Sequence, residues 1–209
     1  MSKLNDNSIT IYEALQNIEN GRYVMPAFQR QYVWSMEQIE KLWDSILLDY
    51  PIATFLFWHI DDNNISWDTY CCQFMKEITF DSRKQADSVN YELSSVDVSM
   101  TDTAILDGQQ RLTSLYLSLF GNAYVRPKHA RRAINGGTLT KLLIELNKNR
   151  LDADEEEYNS KKYDIKFSEK AARYSPTQFE IRTILEERFQ DETTRESAIE
   201  DAIKNVPED

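Results

Sequence analysis

Two short polar stretches hold the residues best suited to chemistry in this sequence. One is Asp107-Gly108-Gln109-Gln110-Arg111, and the other is Gln29-Arg30. The first lies between a short apolar run and an amphipathic pattern, which predicts a strand that turns directly into a helix. A helix start has unpaired N–H groups and the positive end of the helix dipole, so it attracts anions, and phosphate is the usual one. Glycine at this point leaves room for a close approach to the backbone.

A structural role is the alternative for the same stretch. Asp107 and Gln110 have the spacing of a capping box, in which two side chains satisfy backbone N–H groups at a helix start. On this interpretation the stretch only ties a helix to a sheet through hydrogen bonds. The other stretch favours a site, because Gln29-Arg30 repeats the order of strand, polar turn and helix with the same Gln-Arg pair.

Hydrophobic spacing predicts the elements that would position both turns. Helices are expected from Ser8 to Gly21, after a capping box at Ser35 and Gln38, and from Asp107 to Gly121. Strands are expected at residues 23–25, where Pro26 ends the run, and at 52–60, 142–146 and 163–167. The apolar run 52–60 predicts a central strand, and helical spacing resumes from Thr177.

Composition limits the class of protein. A chain of 209 residues that is 41% hydrophobic can bury a sizeable core, so we expect one main domain with an appendage. The only cysteines, Cys71 and Cys72, are adjacent and form neither a disulfide framework nor a spaced metal site, which predicts a cytoplasmic protein. No apolar run approaches the length of a membrane span, so no membrane partner is expected.

Charge argues against a protein that coats nucleic acid without specificity. The 24 Lys and Arg residues face 35 Asp and Glu residues, which gives a net charge of −11. A local basic turn is nevertheless present, and its residues are the candidates for DNA contact: Arg126, Lys128, Arg131 and Arg132. A solvated loop is the alternative for this turn.

Three motifs together identify a family that the chain resembles. It is similar to the N-terminal domain of GmrSD-type modification-dependent restriction proteins, and those domains look like the ParB and sulfiredoxin nucleotide-binding fold. The resemblance rests on the following segments: Met25-Pro26-Ala27-Phe28-Gln29-Arg30-Gln31-Tyr32-Val33-Trp34, then Ser45-Ile46 with Tyr50-Pro51-Ile52, and Leu106-Asp107-Gly108-Gln109-Gln110-Arg111-Leu112-Thr113-Ser114-Leu115-Tyr116.

The resemblance implies a fold and a division of the chain. The fold class is α/β of the α+β type: a ParB/sulfiredoxin-like mixed sheet flanked by helices, with a helical extension at the C-terminal end. Residues 1–190 would form the nucleotide-binding domain, with an insert near 61–103 that we expect to contain a hairpin-like excursion and a loop. Residues 191–209 would form a charged helical tail or linker.

The resemblance also implies a nucleoside triphosphate site with magnesium-dependent hydrolysis that controls restriction of modified foreign DNA. Arg30 and Arg111 can neutralise phosphate oxygens, Gln110 can orient an attacking water, and Asp107 can hold Mg²⁺. We therefore assign the catalytic residues as Asp107, Gln110 and Arg111. The nucleotide-binding residues on this assignment are Gln29, Arg30, Tyr32, Gly108, Gln109 and Thr113. Phe28, Tyr32 and Trp34 are candidates for stacking on a base, with core packing as their alternative.

Two functions of other classes remain open on the sequence. One is a domain that senses a nucleotide without hydrolysing it, and the other is a domain that reads a modified base through the basic turn and the aromatic loop. DNA cleavage is not expected from this chain, because His59 and His129 are its only histidines and neither has a neighbouring nuclease ligand set. The expected partners are a nucleoside triphosphate, modified DNA, an HNH-type nuclease domain or subunit, and a second copy in a homodimer.

Overall fold

The computed structural model describes residues 9–59, 67–86, 101–127, 137–146, 161–169, 177–186 and 192–204. These residues form a mixed α and β structure with two mixed sheets, which confirms the α+β fold class. The helices are α1 (Ile11–Glu19), α2 (Met36–Leu47), α3 (Trp67–Tyr70), α4 (Gln109–Leu119) and α5 (Glu192–Lys204), with a 3₁₀ helix at Ile181–Leu185. The strands are β1 (Tyr23–Pro26), β2 (Leu56–His59), β3 (Cys71–Cys72), β4 (Glu77–Phe80), β5 (Thr103–Asp107), β6 (Asn122–Val125), β7 (Thr138–Glu145), β8 (Ile165–Ser168) and β9 (Gln178–Glu180).

Capping boxes define the starts of the first two helices. Ser35 and Gln38 cap α2 as the sequence predicts, since each side chain accepts a hydrogen bond from the other residue's backbone N–H. Thr10 and Glu13 form the same arrangement at α1. Because Thr10 is the N-cap, the predicted helix start at Ser8 is wrong, and Ser8 itself lies outside the described residues.

The first sheet brings the two Gln-Arg turns to one edge. Its strand order is β2-β5-β1-β3, and β1 pairs with β5 in parallel, with Tyr23 opposite Thr103 and Val24 opposite Ala104. The carboxyl ends of parallel neighbours lie at the same edge of a sheet, and ligands of open α/β sheets bind outside such ends. Both turns follow these ends directly, because Gln29-Arg30 comes after β1 and Gly108 comes after β5.

Strand β2 differs from the prediction of a central strand at 52–60. It covers only Leu56–His59 and lies at the edge of the sheet, antiparallel to β5. The chain before it is not extended, because Ala53 has a φ of 67° and the carbonyls of Ile52 and Thr54 accept hydrogen bonds from the Arg111 side chain. Carbonyls bonded to a side chain in this way do not pair with a strand.

The second sheet has the order β4-β6-β7-β8, with β9 paired to β7. The strands predicted at 142–146 and 163–167 are confirmed as the antiparallel pair β7 and β8, with Leu142 opposite Phe167. The sequence did not predict β6. Within the described part of 61–103, β3 pairs with β1 in the first sheet, whereas β4 pairs with β6 in the second. The expected hairpin-like excursion corresponds there to a tight turn after β4, where Phe80 and Ala86 form an isolated antiparallel bridge.

The C-terminal elements follow the prediction in part. Residues from Thr177 form a short strand and then a 3₁₀ helix rather than a continuous helix, and the charged tail is helical over Glu192–Lys204. Within the described ranges, no helix is both long and apolar enough to cross a bilayer.

Helix α4 lies inside the hydrophobic core. All of its residues from Leu112 to Leu119 are buried, and it packs on α1, α2 and the 3₁₀ helix. Its two serine hydroxyl groups bond within the helix, since Ser114 Oγ donates to the Gln110 carbonyl at 2.6 Å and Ser118 Oγ to the Ser114 carbonyl at 2.7 Å. The start of α4 is therefore held firmly by packing along the rest of its length.

A buried ionic cluster joins α2 to the second sheet. Glu40 accepts from Lys161 Nζ at 2.6 Å and from the Phe167 backbone N–H at 3.0 Å. One turn later, Asp44 accepts from the Tyr163 backbone N–H at 2.7 Å. The Glu40 side chain is only 9% exposed, so both of its oxygens have replaced water with protein donors.

This cluster predicts that Glu40→Gln destabilises the domain. The substitution removes the carboxylate from the poorly exposed Lys161 ammonium, which should lower the free energy of unfolding by about 3 kcal/mol. The matched control is Glu37→Gln on the same helix, because its ion pair with Lys41 is exposed to solvent and should contribute little to stability. Urea unfolding followed by circular dichroism would measure both, and equal midpoints for the two variants would contradict the assignment.

Candidate anion-binding cleft

The two Gln-Arg turns line one polar cleft at the carboxyl ends of β1 and β5. The cleft has a volume of about 340 Å³. Residues from both turns form its walls: Gln29, Arg30, Trp34, Leu106, Asp107, Gly108, Gln109, Gln110 and Arg111. Arg30 and Arg111 therefore converge on the start of α4 instead of lying on opposite faces of the domain.

Helix α4 opens onto this cleft without a side-chain cap. Its N-cap is Gly108, in the left-handed conformation with a φ of 87°, and no side chain accepts a hydrogen bond from the first turn. The predicted capping box of Asp107 and Gln110 is therefore wrong. Asp107 lies before the cap and pairs instead with Arg111, at 3.6 Å between Oδ2 and Nη2. The first N–H groups of α4 thus remain available to an anion in the cleft.

The absence of a side chain at Gly108 permits a close approach to the backbone, and the group that approaches is the Phe55 side chain. A Cβ atom at this position would lie 2.3 Å from Cδ1 of Phe55. The positive φ also favours glycine over any residue with a side chain. Gly108 thus lets the segment before β2 pack on the strand-to-helix turn.

Arg111 also holds the segment before β2. Its guanidinium donates to the carbonyls of Ile52 and Thr54, the latter at 2.7 Å, and lies 4.8 Å above the ring centroid of Phe55. Its side chain is only 16% exposed. Arg111 therefore provides positive charge at the cleft, but its two Nη groups already bind backbone carbonyls.

Arg30 differs from Arg111 in its exposure and in its hydrogen-bond partners. It is exposed, and among the described residues it has no hydrogen-bond or ion-pair partner. The residue before it is fixed, because Gln29 Nε2 donates to the Leu106 carbonyl of β5 at 3.1 Å. Arg30 is thus a cation with unused donors, on a turn that is attached to the neighbouring strand.

The two glutamines at the start of α4 are bonded to backbone groups. Gln110 Oε1 accepts from the Val33 N–H at 3.0 Å, and its Nε2 donates to the Gln31 carbonyl at 3.1 Å. Gln109 is buried and donates to the Ile105 carbonyl at 2.7 Å. A glutamine that orients water needs a free amide, and in this structure the Gln110 amide is engaged at both ends.

Two predicted nucleotide-binding residues lie away from the cleft surface. Tyr32 is only 4% exposed, and its hydroxyl group is 2.7 Å from Ser114 Oγ. Burial raises the pKa of this hydroxyl group well above its usual value. Tyr32 therefore packs in the core and does not stack on a base, which corrects that assignment. Thr113 is also buried, and neither residue is part of the cleft wall.

The other two aromatic residues of the loop differ in position. Phe28 is 79% exposed beside Gln29, whereas Trp34 lines the cleft and packs partly on the core. Sequence reasoning missed Ser114, which connects Tyr32 to α4. Its position one turn after Gln110, on the same side of the helix, was the available signal.

Asp107 is the candidate metal ligand at the cleft. Its carboxylate is 67% exposed. The described residues contain no cluster of three His, Cys, Asp or Glu side chains that could hold a metal ion. A Mg²⁺ ion at Asp107 would therefore take its remaining ligands from phosphate groups and water, as is common for this ion.

The predicted DNA-binding turn lies mostly outside the described residues. Lys128, Arg131 and Arg132 are not described, and neither is His129. Arg126 follows β6 in the second sheet, where its backbone N–H donates to the Phe80 carbonyl at 2.8 Å. It does not contribute to the wall of the cleft. The role of this turn in DNA binding stays a prediction.

The fold and the cleft define an α+β domain with a polar site at the ends of two adjacent parallel strands. A family model described as the N-terminal domain of GmrSD restriction endonuclease matches residues 11–207, and the chain belongs to this family. Membership connects the domain to a DNA restriction system. The likeness to the ParB and sulfiredoxin fold stays a prediction.

A curated relative is similar to part of the chain, and its description adds no function. An uncharacterised protein of Methanocaldococcus jannaschii is 26% identical over 118 residues, which are 56% of this chain. The aligned segment covers 18% of that relative, so the chain corresponds to a small part of its length.

The contacts of Arg111 predict a stability defect in Arg111→Ala. The change leaves two backbone carbonyls without their charged donor and removes the cation from the Phe55 ring, so we expect a loss of about 2 kcal/mol or more in the free energy of unfolding. Arg30→Ala is the control, because it removes an exposed arginine with no described partner and should leave the melting temperature within about 1 °C. Similar melting temperatures for both variants would contradict the structural role of Arg111.

Proposed function

We propose that this domain binds a nucleoside triphosphate through its phosphates in the cleft and so controls a restriction system. The observation that carries the proposal is the position of Arg30, an arginine with unused donors that faces the uncapped start of α4 across one cleft. Guanidinium and helix N–H groups are complementary to phosphate in charge and geometry. Membership of the family supports a role in restriction. The regulatory nature of that role, with DNA cleavage carried out elsewhere in the system, is part of this proposal.

The size of the cleft suggests how the nucleotide would lie. A volume of about 340 Å³ is at the lower end of the range for small-molecule sites. The phosphates would therefore occupy the cleft, and the base would extend beyond it. Phe28 offers an exposed ring on the same turn as Arg30, so it replaces Tyr32 as the candidate for stacking.

A thermal-shift screen with ATP, GTP, CTP and UTP in the presence of Mg²⁺ tests the binding. A nucleotide at a hundred times its dissociation constant should stabilise the domain by about 2.7 kcal/mol. Arg30→Ala should raise the dissociation constant about tenfold, because it removes a charge-assisted hydrogen bond. The matched control is Arg83→Ala, an exposed arginine on a turn outside the cleft. The absence of any nucleotide-dependent shift in the wild type would refute the proposal.

A second candidate function is hydrolysis of the bound triphosphate, and Asp107 favours it. Its exposed carboxylate directly precedes the start of α4, where Mg²⁺ bound to the phosphates would meet it. The alternative is a sensor that binds without turnover, in which occupancy alone shifts a partner.

Phosphate release distinguishes these two functions. Asp107→Asn should reduce release by a hundredfold or so while nucleotide binding persists, since loss of the metal ligand affects chemistry more than phosphate contacts. Asp49→Asn is the control, an exposed aspartate away from the cleft. Binding by the wild type with no release under any Mg²⁺ concentration would leave sensing as the function.

A further inference from the structure

Gln110 forms a two-point connection between α4 and the loop that follows β1. Its amide accepts from the Val33 N–H and donates to the Gln31 carbonyl, so it supplies one acceptor and one donor, as the backbone of a neighbouring strand would. These contacts join positions 77 and 79 residues apart in the sequence. The side chain therefore fixes the path of a loop that has no strand partner there.

Tyr32 completes a closed cycle of contacts. It lies between Gln31 and Val33, and its side chain points into the core, where its hydroxyl group bonds Ser114 Oγ at 2.7 Å. Ser114 Oγ in turn donates to the Gln110 carbonyl at 2.6 Å. The loop is thus attached to α4 at two residues one helical turn apart, which prevents rotation about either contact alone.

Arg30 lies between two fixed residues. On one side, Gln29 is bonded to the Leu106 carbonyl of β5, and on the other, Gln31 is bonded to Gln110. Only the Arg30 side chain is free, so its backbone is already held beside the cleft before any anion arrives. A cation held in this way loses less conformational freedom on binding than one on a mobile loop.

We propose that Gln110 is a positioning residue, whose amide holds the Arg30 turn in place for anion binding rather than orienting a water molecule for attack. This inference rests on the proposed phosphate site and deepens it. Orienting a water molecule and positioning the Arg30 turn are two different roles for Gln110, and the sequence pattern does not distinguish them. Removal of a water-orienting glutamine slows turnover and leaves binding intact. Removal of a positioning glutamine weakens binding, and it does so only while Arg30 is present.

A double-mutant cycle on nucleotide binding tests this distinction. Gln110→Ala should raise the dissociation constant of the best triphosphate on the order of tenfold in the wild-type background, and by less than about twofold in the Arg30→Ala background. Gln38→Ala is a matched control. Its Oε1 likewise accepts from a backbone N–H, that of Ser35 at 2.9 Å, at a helix start outside the cleft. This control should leave the dissociation constant unchanged.

Hydrogen exchange gives a second measurement that needs no nucleotide. Gln110→Ala should speed exchange of the Val33 amide at least tenfold, because that amide loses its acceptor, whereas Gln38→Ala should not affect it. Gln110→Met, which keeps the length of the side chain without its polar ends, serves if the alanine variant does not fold.

The outcomes separate this inference from the proposed function. Unchanged binding with lost turnover in Gln110→Ala, or equal losses in both Arg30 backgrounds, would overturn the positioning role. If the wild type binds no triphosphate, the proposed function fails, and exchange at Val33 still decides on Gln110. Faster exchange would then support the connection to the loop, and unchanged exchange would overturn it.

Discussion

Parallel pairing of β1 with β5 is the constraint on which the rest of the site depends. These strands are about 80 residues apart in the sequence, yet Val24 lies opposite Ala104, so their carboxyl ends meet at one edge of the first sheet. The two Gln-Arg turns begin at that edge, and α4 leaves it directly into the core. An antiparallel pairing would send the turns to opposite ends of the sheet and would leave no cleft between them.

The sequence predicted the individual helices and strands well, but it predicted the position of strands within the sheets less well. Helices α1, α2 and α4 and the strands β5, β7 and β8 follow from capping residues and hydrophobic period, because these signals arise within each segment. Strand β2 was predicted too long and too central, because its first residues are apolar enough for a strand. Their carbonyls are bonded to Arg111, which lies more than fifty residues further on.

Contacts between residues far apart in the sequence also limited the prediction of the candidate site. Gln29, Arg30 and the stretch 107–111 could be selected from residue type and spacing, and they do lie around one cleft. Their individual roles could not be predicted from the sequence. The partners of Gln110 and Arg111 are backbone groups, which every residue carries and which no sequence pattern marks. The prediction that Tyr32 stacks on a base was wrong for a related reason. The sequence does not indicate whether an aromatic side chain beside a loop points toward solvent or toward Ser114.

Contacts that end on backbone atoms also affect which positions can change without harm. The connections made by Gln110 and Arg111 persist whatever side chains stand at Gln31, Ile52 and Thr54, because carbonyl oxygens are common to all residues. Val33 is the exception, since proline there would remove the N–H that donates to Gln110 Oε1. Positions joined by such contacts can therefore vary independently in sequence, and correlated substitution would not reveal them.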